Sequence, residues 1–194
     1  MEYRYRPWVG KNYNNKNIFN QKILILGESH YGYDKMKDGT KGVLNATNTL
    51  IKNQLTGVER QRFLTAIHKI CTNCKHSEED FWESVVFYNF IQVKGNLMKP
   101  GQRPTIEQWQ KSRDLFVKLI NQEKPQKILV LGLSLWNNLP NDIGKYVSKD
   151  EQLYSYPILK GPDSISTFIY HPSRYPNGVQ RRSSTEYFNK LIKS

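Results

Sequence analysis

The chain has 194 residues, with 29 Lys or Arg against 17 Asp or Glu, which gives a formal net charge of +12 with neutral histidines. That length suits one domain, spanning residues 1–194, while 12 Tyr and 8 Phe exclude a disordered chain. Two cysteines are too few for a secreted disulfide scaffold. Because neither a signal-peptide core nor an apolar run of ~20 residues is found, we expect a cytoplasmic protein without a membrane partner.

Four short apolar runs, taken in chain order, predict the strands. The runs at 23–26, 85–88 and 128–131 are continuously apolar, as is typical of strands that are covered on both faces. A fourth run extends from Ile165 to Tyr170. We therefore expect four strands, most of them parallel.

The stretches between these runs carry apolar residues at helical spacing. Residues 43–55, 59–70 and 105–121 predict helices, and a last helix is expected from about Ser184 to Lys193. Thr105 at the start of the third stretch fits a capping box with the Gln three residues later. Alternating strands and helices predict an α/β fold, a three-layer α/β/α sandwich around a four-stranded, mostly parallel sheet with right-handed crossovers.

Polar and titratable residues follow the predicted strands. Gly27 to Gly32 follow the first strand, Asn89 closes the second, Gly132 follows the third, and His171 to Arg174 follow the fourth. In an open parallel sheet, ligands bind at the carboxyl ends of the strands. We therefore expect these residues to share one pocket.

These segments, in this order, resemble the motifs of the uracil-DNA glycosylase superfamily. The stretch Gly27-Glu28-Ser29-His30-Tyr31-Gly32 is similar to the first motif, which reads GQDPYH in one branch and GEAPG in another. Asn89 has the place of the base-reading asparagine, Arg103-Pro104-Thr105 and Lys124-Pro125 resemble the iron–sulfur branch, and His171-Pro172-Ser173 matches the final motif. The resemblance extends over residues 22–192 and implies a protein that removes a base from DNA.

The chain departs from that superfamily at several positions. Ser29 stands where one branch has its catalytic aspartate, and His30 replaces the next proline. The cluster cysteines of the iron–sulfur branch are missing, so we expect no cluster, no metal and no other cofactor. Residues 39–42 stand in place of a base-stacking phenylalanine, so stacking would have to come from Tyr31, Tyr33 or another aromatic side chain.

The resemblance implies a base-binding set of Asn89, Gly27 and Tyr31. A carboxamide such as that of Asn89 offers both a donor and an acceptor, which match the O4 and N3–H groups of uracil. The base must first leave the duplex stack, at a cost of a few kcal/mol. Uracil is the first substrate to test, followed by other deaminated or damaged bases.

Hydrolysis of an N-glycosidic bond implies a catalytic set of Glu28, Ser29, His30 and His171. His171 is expected to donate to the base oxygen on which negative charge develops, with help from the backbone amides of residues 27–29. Glu28 is the preferred candidate for orienting the attacking water, and His30 is the second.

The basic balance favours DNA, single- or double-stranded, as the partner. Ser173 and Arg174 are suited to phosphate contacts, while Lys99 and Arg103, together with Lys94, would extend positive charge along the same edge. We expect a positive rim around the pocket. The alternative is a solvated basic surface that aids solubility.

Each candidate residue also has a structural interpretation. Asn89 suits a strand-end cap, His171 a turn before proline, and Glu28 a cap on a neighbouring amide. His30 suits a buried, hydrogen-bonded histidine. A non-catalytic nucleic-acid-binding relative of the same fold is therefore the alternative function, motivated by Ser29 at the aspartate position.

A remote alternative is a hydrolase in which Glu28 and His30 face one site, since the GESH stretch also resembles the opening motif of erythromycin-esterase-like proteins. The segment from His68 to His76, with Cys71 and Cys74, offers four side chains that can ligate zinc. Because structural zinc sites draw their ligands from two separated pairs, we prefer a helix end with buried thiols.

Overall fold

The computed structural model describes residues 2–30, 40–92, 103–172 and 178–194. Within them the strands form one mixed sheet with the order β1-β3-β2-β4-β7-β6-β5. The strands are β1 (Trp8–Val9), β2 (Ile23–Gly27), β3 (Val85–Asn89), β4 (Lys127–Leu131), β5 (Lys145–Ser148), β6 (Leu153–Tyr156) and β7 (Ser164–Ile169).

The α/β class is confirmed, but the expected count of four strands is wrong. The four apolar runs form the adjacent parallel strands β3, β2, β4 and β7, and the antiparallel strands β1, β6 and β5 extend the sheet to seven. These additional strands are two to four residues long. Since β5 is largely exposed and Ser155 interrupts the sequence of β6, neither presents a continuous apolar run.

The helices cover both faces of the sheet. They are α1 (Lys41–Leu44), α2 (Ala46–Thr56), α3 (Arg62–Thr72), α4 (Glu78–Trp82), α5 (Ile106–Glu123), α6 (Leu133–Asn138) and α7 (Gly178–Lys193). The predicted capping box of α5 is present, since Thr105 Oγ1 accepts from the backbone N–H of Gln108 and Gln108 Oε1 accepts from that of Thr105. None of the helices in the described residues is long and apolar enough to span a membrane.

Alternate residues of each central strand enter two separate cores, as the pleat of a strand requires. One core joins Ile23, Ile25, Val85, Phe87 and Leu129 to side chains of α2, α3, α4 and α7. The other joins Leu24, Leu26, Val86, Tyr88, Ile128 and Val130 to side chains of α5 and α6. We call these the α3 face and the α5 face of the sheet.

Strand β1 is held against the sheet by a close approach at Gly10. The Gly10 amide donates to the carbonyl of Val85, and the Trp8 indole donates to the carbonyl of Trp82. A methyl group on Gly10 would lie 2.3 Å from the carbonyl carbon and oxygen of Glu83. The Glu83 backbone therefore leaves room for glycine and for no larger residue.

We predict that Gly10→Ala lowers the free energy of unfolding by about 2 kcal/mol, because the methyl group must displace backbone atoms. Gly161→Ala is the control, since its methyl group meets a movable Ile158 side-chain atom at 3.3 Å. That variant should stay within about 0.5 kcal/mol of the wild type. Chemical denaturation measures both; equal stability of the two variants would contradict the close approach.

Candidate functional site

The carboxyl ends of the central strands lie at one level. Gly27 is the register partner of Asn89, and Leu131 is the partner of Ile169. The residues that follow these strands therefore emerge at the same edge. Of the predicted site residues, the structure describes Gly27, Glu28, Ser29, His30, Asn89, Arg103 and His171.

Asn89 packs directly on Gly27. A methyl group on Gly27 would lie 2.1 Å from Asn89 Oδ1, so a residue with a side chain at position 27 would displace the carboxamide. Asn89 is buried, with 5% of its surface exposed. The hydrogen bond found for it among the described residues is made by its backbone carbonyl, which accepts from Gln92 Nε2 at 2.7 Å, and not by its carboxamide. The Asn89 side chain thus offers a donor and an acceptor at the sheet edge.

His171 packs against a second strand-end glycine. Gly132 follows β4 with a φ of +109°, and a methyl group there would lie 3.5 Å from His171 Cβ. The Gly132 amide donates to the carbonyl of Ile169, which ties the end of β4 to the chain leading into His171. The ring of Phe63 on α3 faces that of His171, with a centroid separation of 6.4 Å and an angle of 30°.

The two polar side chains converge on the centre of the sheet. Asn89 and His171 have the strand parity of the α3 face, as do Phe87 and Ile169. Asn89 lies against Gly27 at the end of β2, and His171 lies against Gly132 at the end of β4. Since β2 and β4 are neighbouring strands, about 4.8 Å apart, the two side chains flank the space above this strand pair.

Glu28 contacts Arg103 across the loop that precedes α5. Glu28 Oε2 lies 3.6 Å from Arg103 Nη1, with side chains that are 11% and 58% exposed. An ion pair of this length and exposure contributes at most about 1 kcal/mol to stability. It does keep a carboxylate and a guanidinium together at the edge predicted to bind DNA.

Ser29 has a buried hydroxyl. Its Oγ is inaccessible to solvent and has no hydrogen-bond partner in the described residues. A buried hydroxyl without a partner costs about 1–3 kcal/mol.

His30 has a structural environment rather than a catalytic one. It is buried, its Nε2 forms a 2.8 Å hydrogen bond with Thr47 Oγ1 on α2, and its ring packs on that of Tyr5 at 4.6 Å. Burial lowers its pKa to about 4. This environment fits the buried, hydrogen-bonded interpretation of His30, and the water-orienting role predicted second for it stays a prediction.

Several predicted residues lie outside the described residues. These are Tyr31, Lys99, Ser173 and Arg174, together with Tyr33 and Lys94. Of the expected positive rim, Arg103 is described, and it contacts Glu28.

Nothing in the sequence indicates that Phe63 or Gln92 belongs to the site, and Gly132 is placed there only as the residue after a strand. Phe63 is a half-buried aromatic residue in the first turn of α3, which reads as an ordinary core position. The sequence shows that Gly132 follows a strand, but it does not reveal the positive φ of that residue. Gln92 joins three segments, since it contacts the Tyr5 amide, the Asn89 carbonyl and Ser112 Oγ.

The segment from His68 to His76 contains the end of α3, as we preferred to zinc, but the expectation that both thiols are buried is wrong for Cys74. His68 Nε2 donates to the carbonyl of His76 at 2.8 Å, Cys71 is buried, and Cys74 is exposed. Burial raises the pKa of the Cys71 thiol. In the described part of the chain, no three or more His, Cys, Asp or Glu side chains are grouped so as to hold a metal ion.

Two cavities lie away from Asn89 and His171. One, of about 410 Å³, is at the opposite edge of the sheet and is lined by Lys127, Gln126 and Ser194 among others. There Lys127 Nζ donates to Ser194 Oγ, and desolvation lowers the lysine pKa. The other, of about 230 Å³, is lined by aromatic residues of β5, β6 and α6.

No protein-family model matches the chain, and no curated protein sequence matches it. The assignment of function therefore depends on the residues and geometry of the site.

We predict that stability falls as the pH is lowered from 6.5 to 4, because of His30. In the unfolded state His30 takes up a proton in this range, because its ordinary pKa is 6.5. In the folded state the buried ring stays unprotonated until about pH 4. The loss attributable to this group is about 3 kcal/mol. Denaturation at several pH values should give a shallower pH slope for His30→Gln. His76→Gln, at an exposed histidine, is the control, and an unchanged slope for His30→Gln would contradict the burial of His30.

Proposed function

We propose that this chain binds DNA and hydrolyses the N-glycosidic bond of a deaminated or damaged base, with uracil as the first candidate. The observation that carries the proposal is the pair of strand-end glycines. Gly27 and Gly132 lie beneath Asn89 and His171 on neighbouring strands. The ordered motifs that resemble the uracil-DNA glycosylase superfamily support the same function.

Asn89 is suited to reading the edge of a base. The residue is 5% exposed, and the hydrogen bond found for it among the described residues is made by its backbone carbonyl and not by its carboxamide. A base that supplies one acceptor and one donor satisfies it. A base that lacks either leaves a buried polar group unpaired, which costs about 1–3 kcal/mol and gives selectivity.

His171 is suited to stabilising the leaving base. When the bond between the sugar C1′ and the base nitrogen breaks, its electron pair goes to the base, and negative charge develops on the base oxygen. A hydrogen bond from His171 to that oxygen becomes stronger as the charge grows, which is how catalysis lowers a barrier. Water then adds to C1′ and loses a proton, and the departing base takes one up.

Glu28 is the candidate for orienting the attacking water. Its carboxylate also counters the positive charge that develops on the sugar. The Arg103 guanidinium lies 3.6 Å from this carboxylate. Ser29 carries no ionisable group, so it does not replace the aspartate of the related motif as an activator of water.

Phe63 is the candidate for stacking on the base. Its ring lies beside that of His171 on the α3 face, where the base would enter. An aromatic side chain supplies stacking to any flat base. Phe63 thus offers, from another segment, the stacking contact of the phenylalanine that residues 39–42 replace.

A non-catalytic DNA-binding protein is the second candidate function. The observation that favours it is Ser29, whose hydroxyl is buried at the position where one branch has an aspartate. By contrast, the Glu/His hydrolase alternative loses support, because Glu28 contacts Arg103 near α5 whereas His30 contacts Thr47 on α2.

The proposal is tested by incubating stoichiometric protein with single- and double-stranded oligonucleotides that carry uracil, hypoxanthine or xanthine. Abasic sites are detected by strand scission in alkali. We expect abasic sites on at least one of these substrates. Salt-sensitive binding without any abasic product would favour the non-catalytic candidate.

We predict that His171→Ala lowers the rate of base removal by about a hundredfold or more, because one donor to the developing charge is lost. His76→Ala, at an exposed histidine, is the matched control and should keep the wild-type rate. Single-turnover kinetics at saturating protein measure the chemical step. An unchanged rate for His171→Ala would contradict the role assigned to this side chain.

A further inference from the structure

An aromatic cleft lies on the α5 face, away from Asn89 and His171. This is the cavity of about 230 Å³, and its lining includes Trp136, Asn137, Asn141, Tyr146, Tyr154 and Tyr156. Its volume is below the range of about 300–1,000 Å³ that is typical of pockets for drug-sized ligands. The cleft is therefore suited to one flat ring system.

The rings of the cleft form a fixed floor and exposed walls. Tyr154 and Tyr156 are buried, and the Tyr154 hydroxyl donates to the backbone carbonyl of Asn141. Tyr146, the cross-strand partner of Tyr154, is 52% exposed and stands edge-on to it at 5.1 Å. Trp136, half-buried on α6, stands edge-on to Tyr154 at 6.4 Å. Two accessible rings thus flank a buried one.

A row of aromatic side chains connects the cleft to the carboxyl edge. Trp136 contacts Phe168 at a centroid distance of 5.4 Å, and Phe168 contacts Tyr170 at 6.1 Å. Tyr170 is 51% exposed and directly precedes His171. A strand bound at His171 would therefore meet a continuous aromatic surface that leads to the cleft.

The surroundings of the cleft suit a nucleic-acid strand. Bases of single-stranded DNA stack on exposed aromatic side chains with little sequence preference, while cationic groups follow the phosphates. Asn137 and Asn141 are exposed, and their carboxamides can contact base edges. The acidic neighbour Asp142 is paired with Arg113 at 2.5 Å.

We propose that the aromatic cleft stacks an unpaired base of the DNA strand that flanks the target base. The inference rests on the proposed function for the identity of the partner. The inference adds to the proposed function a contact with single-stranded DNA on the face of the sheet opposite to Asn89.

The test is the affinity of the intact protein for an undamaged, fluorescently labelled oligothymidylate at fixed low salt. Tyr146→Ala should bind roughly 5- to 100-fold more weakly, the effect of losing one base–aromatic stack. Tyr146→Phe keeps the ring and should bind like the wild type. Tyr187→Ala, at a 37% exposed tyrosine on α7, is the matched control and should also bind normally.

Trp136 provides a direct readout. Binding of the oligonucleotide should quench tryptophan fluorescence in the wild type, and Trp136→Phe should abolish most of the quenching while keeping an aromatic wall. Thermal unfolding of each variant checks that the fold is intact.

The outcomes separate this inference from the proposed catalysis. If Tyr146→Ala removes bases and also binds oligothymidylate as tightly as the wild type, the stacking role of the cleft is wrong and the proposed catalysis stands. If binding of oligothymidylate depends on Tyr146 but the wild type removes no base from any lesion, the proposed catalysis is wrong and the stacking role of the cleft is supported. Failure of the wild type to bind oligothymidylate would overturn the cleft as a single-strand site.

Discussion

The parallel register of the four central strands is the constraint on which the site depends. Because Gly27 is paired with Asn89, the side chain at the end of β3 meets the backbone at the end of β2, and only a glycine leaves room for it. At the end of β4, His171 packs beside Gly132 at an ordinary contact distance, and it is the φ of +109° that favours glycine there. Two buried apolar cores hold this register, since a slip by one residue would exchange the α3 and α5 faces of a strand.

The sequence allowed the central strands, the main helices and the polar edge to be predicted, because continuous apolar runs and helical spacing are local signals. It did not predict β1, β5 or β6, which pair through backbone hydrogen bonds at short, partly polar segments. The burial of His30 was one of two interpretations that the sequence left open, and its partner Thr47, from a segment 17 residues away, could not be identified. Phe63 joins the site through the packing of α3, which no local pattern of residues specifies.

The buried polar groups at this edge differ in whether they have hydrogen-bond partners. Groups with partners stabilise the fold, whereas groups without partners are candidates for binding a ligand. His30 and Gln92 are buried with hydrogen bonds to neighbouring segments, so they fix the loops around Asn89. The Ser29 hydroxyl, by contrast, is buried without a hydrogen-bond partner among the described residues. Folded proteins pair almost all buried polar groups, so this hydroxyl is one of the groups on which a ligand would gain a hydrogen bond.

The most direct test of the account is a double-mutant cycle on base removal with Gly27→Ala and Asn89→Ala. If Gly27 serves to seat the Asn89 carboxamide, each variant should lose about a hundredfold or more in rate, and the double variant should lose no more than either alone. Asn14→Ala, at an exposed asparagine, should keep the wild-type rate. A Gly27→Ala variant with full activity, or losses that multiply in the double variant, would contradict the account.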